Sequence, residues 1–327
     1  MEILRTSDDR FDGLPGYPFE PCYQEVSDPD GGRLRMHYVD EGPRDAPPIL
    51  MLHGNPDWSY SFRELISAFA AAGFRAIAPD MLGFGRSDKL VDRRAHSIVR
   101  HIGWLREFVL KLDLADITLV CQDWGGTMGL GVVAEEENRF SRVLACNTIL
   151  HTAEASLAGR LPPSYSVHAL NDHEVCIGDR MLAWLARSQR MPGIQASDSV
   201  LGYLGNVSPE VAVGYDAPFP DEDHMVALRQ FPMLIPLRPK DEGAVQNLET
   251  WKVLSTFQKP FLTAYGDSDP CTGGWDAIFQ ERVPGAKDQP HVTFEGAKHF
   301  LGEDRPKELI EVTLEFIRRT QGGGSLG

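Results

Sequence analysis

Short apolar runs recur along the chain, and most are followed by longer stretches whose apolar positions return every three or four residues. The runs at 48–52, 75–79, 117–121, 143–146, 261–265 and 291–294 read as buried strands. The stretches at 60–72, 97–112, 126–137, 274–282 and 304–319 read as amphipathic helices. Strands that are apolar almost throughout belong to a mostly parallel sheet covered by helices on both faces, an α/β architecture. Residues 33–40 (RLRMHYVD) precede the alternation and read as an edge hairpin strand.

The rhythm stops after residue 150. From 152 to 228 short helical patterns are broken by Pro162-Pro163, Pro192-Gly193 and the APFP segment at 217–220. It resumes with the strand at 261–265. The pattern predicts one domain with an insertion: a first core part at 1–151, a helical cap at 152–228, a second core part at 229–320, and a flexible glycine-rich tail at 321–327.

Composition narrows the partners. The 327 residues carry a net charge of −15, with 42% hydrophobic and 24% charged positions, the balance of a soluble protein with a large core. Nucleic acid is excluded as a partner, because backbone binding needs a basic stripe, and the Arg93-Arg94 pair is flanked by Asp92. No apolar run is long enough for a membrane span, and MEILRTSDDR has no secretory pattern. The five cysteines, Cys22, Cys121, Cys146, Cys176 and Cys271, form no CxxC pair, so neither a zinc site nor a disulfide framework is expected. A reducing, cytoplasmic setting and a monomeric state follow as expectations. No cofactor or metal is expected, since the histidines lack metal spacing and Gly83-Phe84-Gly85-Arg86-Ser87 lacks the lysine of a phosphate loop.

Four segments carry chemistry, and each lies just past a predicted strand. In Gln122-Asp123-Trp124-Gly125-Gly126 a strand passes into a helix with almost no loop, and small residues flank the bend. That is the layout of a nucleophile elbow with Asp123 in the nucleophile's place. A helix-capping Asp explains Asp123 equally well, but a cap needs neither glycine. In His53-Gly54-Asn55-Pro56 the N–H of Asn55 would join that of Trp124 as an oxyanion donor, although the segment alone is an ordinary turn. In Gly266-Asp267-Ser268-Asp269-Pro270 the acid orienting a histidine is Asp269, with Asp267 as competitor. In Glu295-Gly296-Ala297-Lys298-His299-Phe300 the histidine is His299. The order Asp123, Asp269, His299 is that of an α/β-hydrolase triad.

An aspartate nucleophile implies a reaction different from that of a serine. With a reference pKa of about 3.9 it is already ionised, and it suits displacement of a leaving group from saturated carbon. His299 is then left to activate the water that cleaves the resulting ester, with Asp269 holding the imidazole. Two leaving groups fit: a halide, which needs only N–H donors, and an epoxide oxygen, which needs a proton from tyrosine.

Taken together, HGNPDWSY, QDWGG, APFPD, Asp269 and AKHF resemble the haloalkane dehalogenases over about residues 30–310. The resemblance implies an α/β-hydrolase fold and hydrolysis of small apolar halogenated substrates by water to alcohol and halide. It also assigns halide binding to the indole of Trp124, with a second donor that differs between subfamilies. The cap tryptophan Trp184 is that donor in the subfamily whose acid follows the strand after the cap. Asn147-Thr148, after the sixth strand, offers no carboxylate, which favours this subfamily, yet its members commonly carry Glu where this chain has Asn55. Trp184 and Asn55 therefore both stand as candidates, and Trp184 also reads as plain helix packing. Phe219 and Phe300 read as pocket lining. The rivals are an epoxide hydrolase, whose two cap tyrosines would come from Tyr165, Tyr203 and Tyr215, and a non-catalytic hydrolase-fold binding protein.

Overall fold

Eight strands pair into one sheet: β1 (Cys22–Ser27), β2 (Arg33–Glu41), β3 (Pro48–Leu52), β4 (Arg75–Pro79), β5 (Ile117–Asp123), β6 (Phe140–Thr148), β7 (Phe261–Gly266) and β8 (Val292–Phe294). Their order across the sheet is β1-β2-β4-β3-β5-β6-β7-β8. From β4 to β8 all neighbours run parallel, and only β2 is antiparallel to both its neighbours. The computed structural model describes residues 2–171, 173–190, 193–201, 205 and 207–321.

Strands β3 to β7 are the predicted ones because each is buried along nearly its whole length, whereas in the short edge strand β8 only Phe294 is buried. One expectation changes. Residues 33–41 do form a hairpin strand, but the edge belongs to β1, and β2 is an inner strand between β1 and β4. In β1 only Val26 is fully buried. A strand wetted on most of its side chains has no apolar run to detect, which is why this segment was invisible to the pattern.

Helices cover the two faces. Those of the first half are α1 (Arg63–Ala71), α2 (Ile98–Lys111) and α3 (Trp124–Glu135). Between β6 and β7 come α4 (Asp179–Arg190), α5 (Pro209–Asp216) and α6 (Glu242–Leu254), and α7 (Trp275–Arg282) and α8 (Pro306–Thr320) follow. The inserted region is not wholly helical: Val167–Ala169 and Val175–Ile177 form a small antiparallel ladder separate from the main sheet. Among the described residues no helix is long and apolar enough to cross a membrane.

Two features of the sheet create the site. The chain winds outward in opposite directions from β3, so the carboxyl ends of β3 and β5 lie side by side, with Leu52 paired to Cys121. Such a reversal point is where open parallel sheets leave a crevice. In addition, α3 is buried through nearly its whole length, from Trp124 to Val133, which brings its first turn hard against β3. A Cβ on Gly125 would run into the backbone carbonyls of Leu52 and His53, and one on Gly126 into the side chain of Thr148.

That packing yields a stability prediction. Gly125→Ala should destabilise the protein by about 3 kcal/mol, the upper end of the usual cost of overpacking, because backbone rather than a flexible side chain must give way. Urea unfolding of the variant checks it; a loss under about 0.5 kcal/mol, the size of a neutral surface change, would show that β3 and α3 are not in this contact.

Candidate active site

Asp123 is the last residue of β5 and the first outside α3, with φ 50° and ψ −127°. A non-glycine residue adopts that backbone only when its surroundings hold it there. Here the Thr148 hydroxyl donates to the Asp123 carbonyl at 2.6 Å, and the Asn55 N–H donates to Asp123 Oδ2 at 2.8 Å. Asp123 makes no side-chain cap bond to α3, so the capping explanation fails. Its carboxylate is turned instead toward β3 and His299.

The Asn55 donor is itself fixed from behind. His53 is fully buried, its Nδ1 lies 2.8 Å from the Gly54 carbonyl and its Nε2 accepts from the Met81 N–H at 2.9 Å. That pairing puts the proton on Nδ1, and burial lowers the pKa of the ring, so it stays neutral. His53 is thus a brace rather than a base.

His299 stands between two acids. Its Nδ1 is 3.1 Å from Asp269 Oδ2 and 3.2 Å from Oδ1, and its Nε2 is 3.5 Å from Asp123 Oδ1. Burial works against the imidazolium, but Asp269 and the hydrogen bond and charge of Asp123 outweigh it and raise the His299 pKa well above its ordinary value. Asp269 is buried too, yet His299, Thr272 Oγ and the Cys271 N–H hold its carboxyl below the usual range. The competitor Asp267 is exposed and accepts from Gly296 N at 2.8 Å, closing its own turn. The structure therefore brings Asp123, Asp269 and His299 together and leaves Asp267 out.

Asn147, noticed in the sequence only for not being a carboxylate, proves to be a hub. Its amide donates to the carbonyls of Lys298 and His299 at 2.8 and 2.9 Å and accepts from Gly266 N at 2.9 Å. Gln122 Nε2 adds a second bond to the His299 carbonyl. The histidine loop is thereby tied to β5, β6 and β7 together. Single-sequence reasoning has no signal for this, because a buried Asn after a strand looks like any turn.

Above the triad lies a cavity of about 50 Å³ whose walls include Asn55, Asp123, Trp124, Ile149, Met181 and His299. It shares Asn55, Tyr165, Trp184, Ser199 and Cys271 with an outer cavity of about 400 Å³. Trp124 is 5% exposed and Trp184 half-buried, so both predicted indoles sit on the cavity wall. Phe219 and Phe300 do not line either cavity: Phe219 packs edge-on to Phe84, and Phe300 packs against Tyr215 and His299. Of the cap tyrosines, Tyr165 borders the cavities, Tyr203 lies outside the described residues, and the buried Tyr215 hydroxyl donates to Glu303.

Among the described residues, one set of side chains approaches metal-ligand spacing, Asp269, Cys271 and His299 within 4.8 Å. Asp269 and His299 are already bonded to each other, and burial with two neighbouring carboxylates pushes the Cys271 thiol well up, away from the thiolate a metal requires. The arrangement is instead that of a carboxylate facing an oriented imidazole, with N–H donors on a mostly apolar chamber.

Comparison with known proteins places the chain. The alpha/beta hydrolase fold family matches residues 47–173. A haloalkane dehalogenase of Psychrobacter cryohalolentis is 43% identical, covering 97% of this chain and 98% of that protein. Another, of Mycobacterium marinum, is 40% identical over 97% of this chain and the whole of that protein. The tetrameric structure of haloalkane dehalogenase DpaA from Paraglaciecola agarilytica NO2 superimposes with a TM-score of 0.81 at 30% identity, covering 96% of this chain and 97% of that one.

The His299 environment predicts a titration. In Asp269→Asn the largest support for the imidazolium disappears, so the His299 pKa should fall toward its ordinary value, read by NMR of the ring protons. The raised histidine pKa contributes stability that is full below about 6.5 and lost as pH rises through the folded value, so the variant should lose stability most on the acid side of neutrality. An unchanged ring titration would remove Asp269 from this pairing.

Proposed function

We propose that this chain, which belongs to the haloalkane dehalogenase family and hydrolyses carbon–halogen bonds, works through a covalent ester on Asp123. The observation that carries the reading is the geometry of that carboxylate. Asn55 N–H binds Oδ2 while Oδ1 faces His299, so the group is aimed into the chamber and held by donors. Backside attack by one oxygen breaks the carbon–halogen bond and leaves an alkyl ester, with the halide carrying off the negative charge. Once Asp123 is esterified its charge no longer supports the imidazolium, so His299 gives up its Nε2 proton to solvent and then takes one from the water that attacks the ester carbonyl. The tetrahedral intermediate collapses by breaking the bond to the alkyl oxygen, which leaves as the alcohol with the proton from His299. The Asn55 and Trp124 backbone N–H groups are suited to the oxygen that becomes negative in that step. Asp269 keeps the Nδ1 proton in place throughout.

For the halide, the indole N–H of Trp124 is the first donor, with Asn55 and Trp184 closing around the anion, since all three share the inner chamber. The inserted segment 152–228 acts as the cap that covers this chamber. Epoxide opening has weaker support: it needs tyrosine hydroxyls facing the nucleophile, and that of Tyr215 is committed to Glu303, which also carries the Arg63 ion pair. A cytoplasmic monomer remains the proposed setting, consistent with five unpaired cysteines; sizing by chromatography with light scattering decides the oligomeric part.

Two experiments test the reading. His299→Gln incubated with 1-bromobutane should accumulate a protein heavier by one alkyl group on intact mass, with turnover reduced by about 10²–10⁴-fold. In the wild type, a single turnover in heavy-oxygen water should place the label in the peptide holding Asp123. Diol formation from styrene oxide with no bromide released from any haloalkane would overturn the assignment. For the clamp, Trp124→Phe should weaken bromide binding by at least about tenfold, the size of one lost hydrogen bond to a charge, and Asn55→Ala and Trp184→Phe should each weaken it too. Bromide quenching of tryptophan fluorescence reports all three, and an unaltered affinity in Trp124→Phe removes the indole from the site.

A further inference from the structure

Asp57 follows the Asn55-Pro56 segment and is 1% exposed, yet neither of its carboxyl oxygens has a hydrogen-bond partner. Every other buried acid in this part of the molecule is supplied with donors. Asp80 accepts from Ser59 N, Arg86 N and His37 Nδ1, Asp88 from Arg35 N and the Arg5 guanidinium, and Glu303 from Arg63 and Tyr215. A carboxylate deprived of water and of donors is among the least favourable groups a protein can bury, and it responds by keeping its proton. The groups that act on Asp57 are Asp123, His299, Glu303 and its own backbone N–H, and it acts in turn on Tyr215; only His299 and that N–H favour its charge, the N–H least of all. Burial first, then the charge of Asp123, pushes Asp57 up to about 8.

We propose that Asp57 is a positioning residue for dehalogenation: it stays protonated in the working enzyme, so that no second carboxylate on the Asn55 loop opposes the halide, and losing that proton sets the alkaline limit of halide binding and turnover. The inference rests on reading Asp123 and its neighbours as the dehalogenase site. In the displacement step the negative charge of Asp123 passes to the halide, so the chamber must accept an anion where it had held one. A protonated Asp57 leaves that exchange unopposed. An ionised Asp57 adds an anion two residues from the Asn55 donor, and by reciprocity bound halide makes Asp57 harder to ionise.

The test uses the wild type, Asp57→Asn and Asp57→Ser, the last two both lacking a titratable proton. Bromide affinity, by fluorescence quenching, and kcat/KM for 1-bromobutane are measured from about pH 6 to about pH 9, each profile scaled to its own neutral value. In the wild type both should fall above about pH 8, approaching tenfold per pH unit, and in the variants this limb should be gone. Thermal unfolding gives an independent reading. Because the folded state holds the Asp57 proton more tightly than the unfolded chain, wild-type stability is eroded as pH rises from about 4 to about 8. Relative to the wild type, Asp57→Asn should therefore gain in Tm progressively across that window. A wild-type bromide profile that stays flat to about pH 9, or an alkaline limb that persists in either variant, overturns the proposal. Failure of the dehalogenase reading is distinguishable, because it appears as absence of the alkyl-enzyme in His299→Gln, a measurement Asp57 does not enter.

Discussion

The whole site depends on one backbone conformation, the turn at Asp123 between β5 and α3. A residue with a side chain at φ 50° and ψ −127° is held by its surroundings and costs on the order of 1–3 kcal/mol. The surroundings that hold it are also those that aim it. Thr148 binds the Asp123 carbonyl, the absence of side chains at Gly125 and Gly126 lets α3 reach β3 and Thr148, and a register shift between Gln122 and Asp123 sets Asp123 opposite Thr148 in the β5–β6 ladder. Because β3 lies beside β5, the same contact that tightens the turn delivers the Asn55 N–H to the carboxylate. Strain and function are here two descriptions of one packing arrangement.

Charge is the second constraint. Around a single imidazole the fold gathers Asp123, Asp269, Asp57 and Glu303, and four free carboxylates in so small a volume would be untenable. Each is settled differently. Asp269 is neutralised by His299 and its own donors, Glu303 by Arg63 and Tyr215, and Asp57 by burial that keeps its proton. Asp123 is the one of the four turned toward the chamber, with a side chain 19% exposed, which is why it is the proposed nucleophile.

The elements most visible from sequence were those under the strongest packing constraint. The inner parallel strands are apolar because helices cover both faces, and the Gly125-Gly126 pair is dictated by contact with β3 and Thr148, so strand positions, the sharp bend at Asp123 and the residues that gather beside it, Asp269 and His299, were legible. What escaped detection lacked a local signature. Strand β1 is mostly wet, and the ladder at Val167–Ala169 is too short for a period of two to register. Phe219 and Phe300 show the converse error: an aromatic beside a motif is not thereby in the pocket, and both are absorbed by packing. Asn147 and Asp57 mark a deeper limit. Their importance lies in which groups the fold brings or fails to bring to their polar atoms, and that is a property of tertiary contacts alone.

The loop at 53–58 joins these constraints to the cap. Within six residues it supplies the brace His53, the donor Asn55, the buried Asp57, and Trp58, whose buried indole donates to the Gly214 carbonyl in α5 at 2.9 Å. Tyr215, the next residue of α5, reaches Glu303 beside the histidine loop. Segments that carry the nucleophile's donor and the histidine are therefore both fastened to the same cap helix, one through Trp58 and one through Glu303. Any substitution that shifts α5 must disturb both fastenings, because a buried indole N–H and a buried carboxylate each lose a partner that water cannot replace. It follows that the cap does more than shape the cavity. Helix α5 is linked to the Asn55 loop through Trp58 and to the histidine loop through Glu303, so a shift in this one helix reaches both sides of the site together.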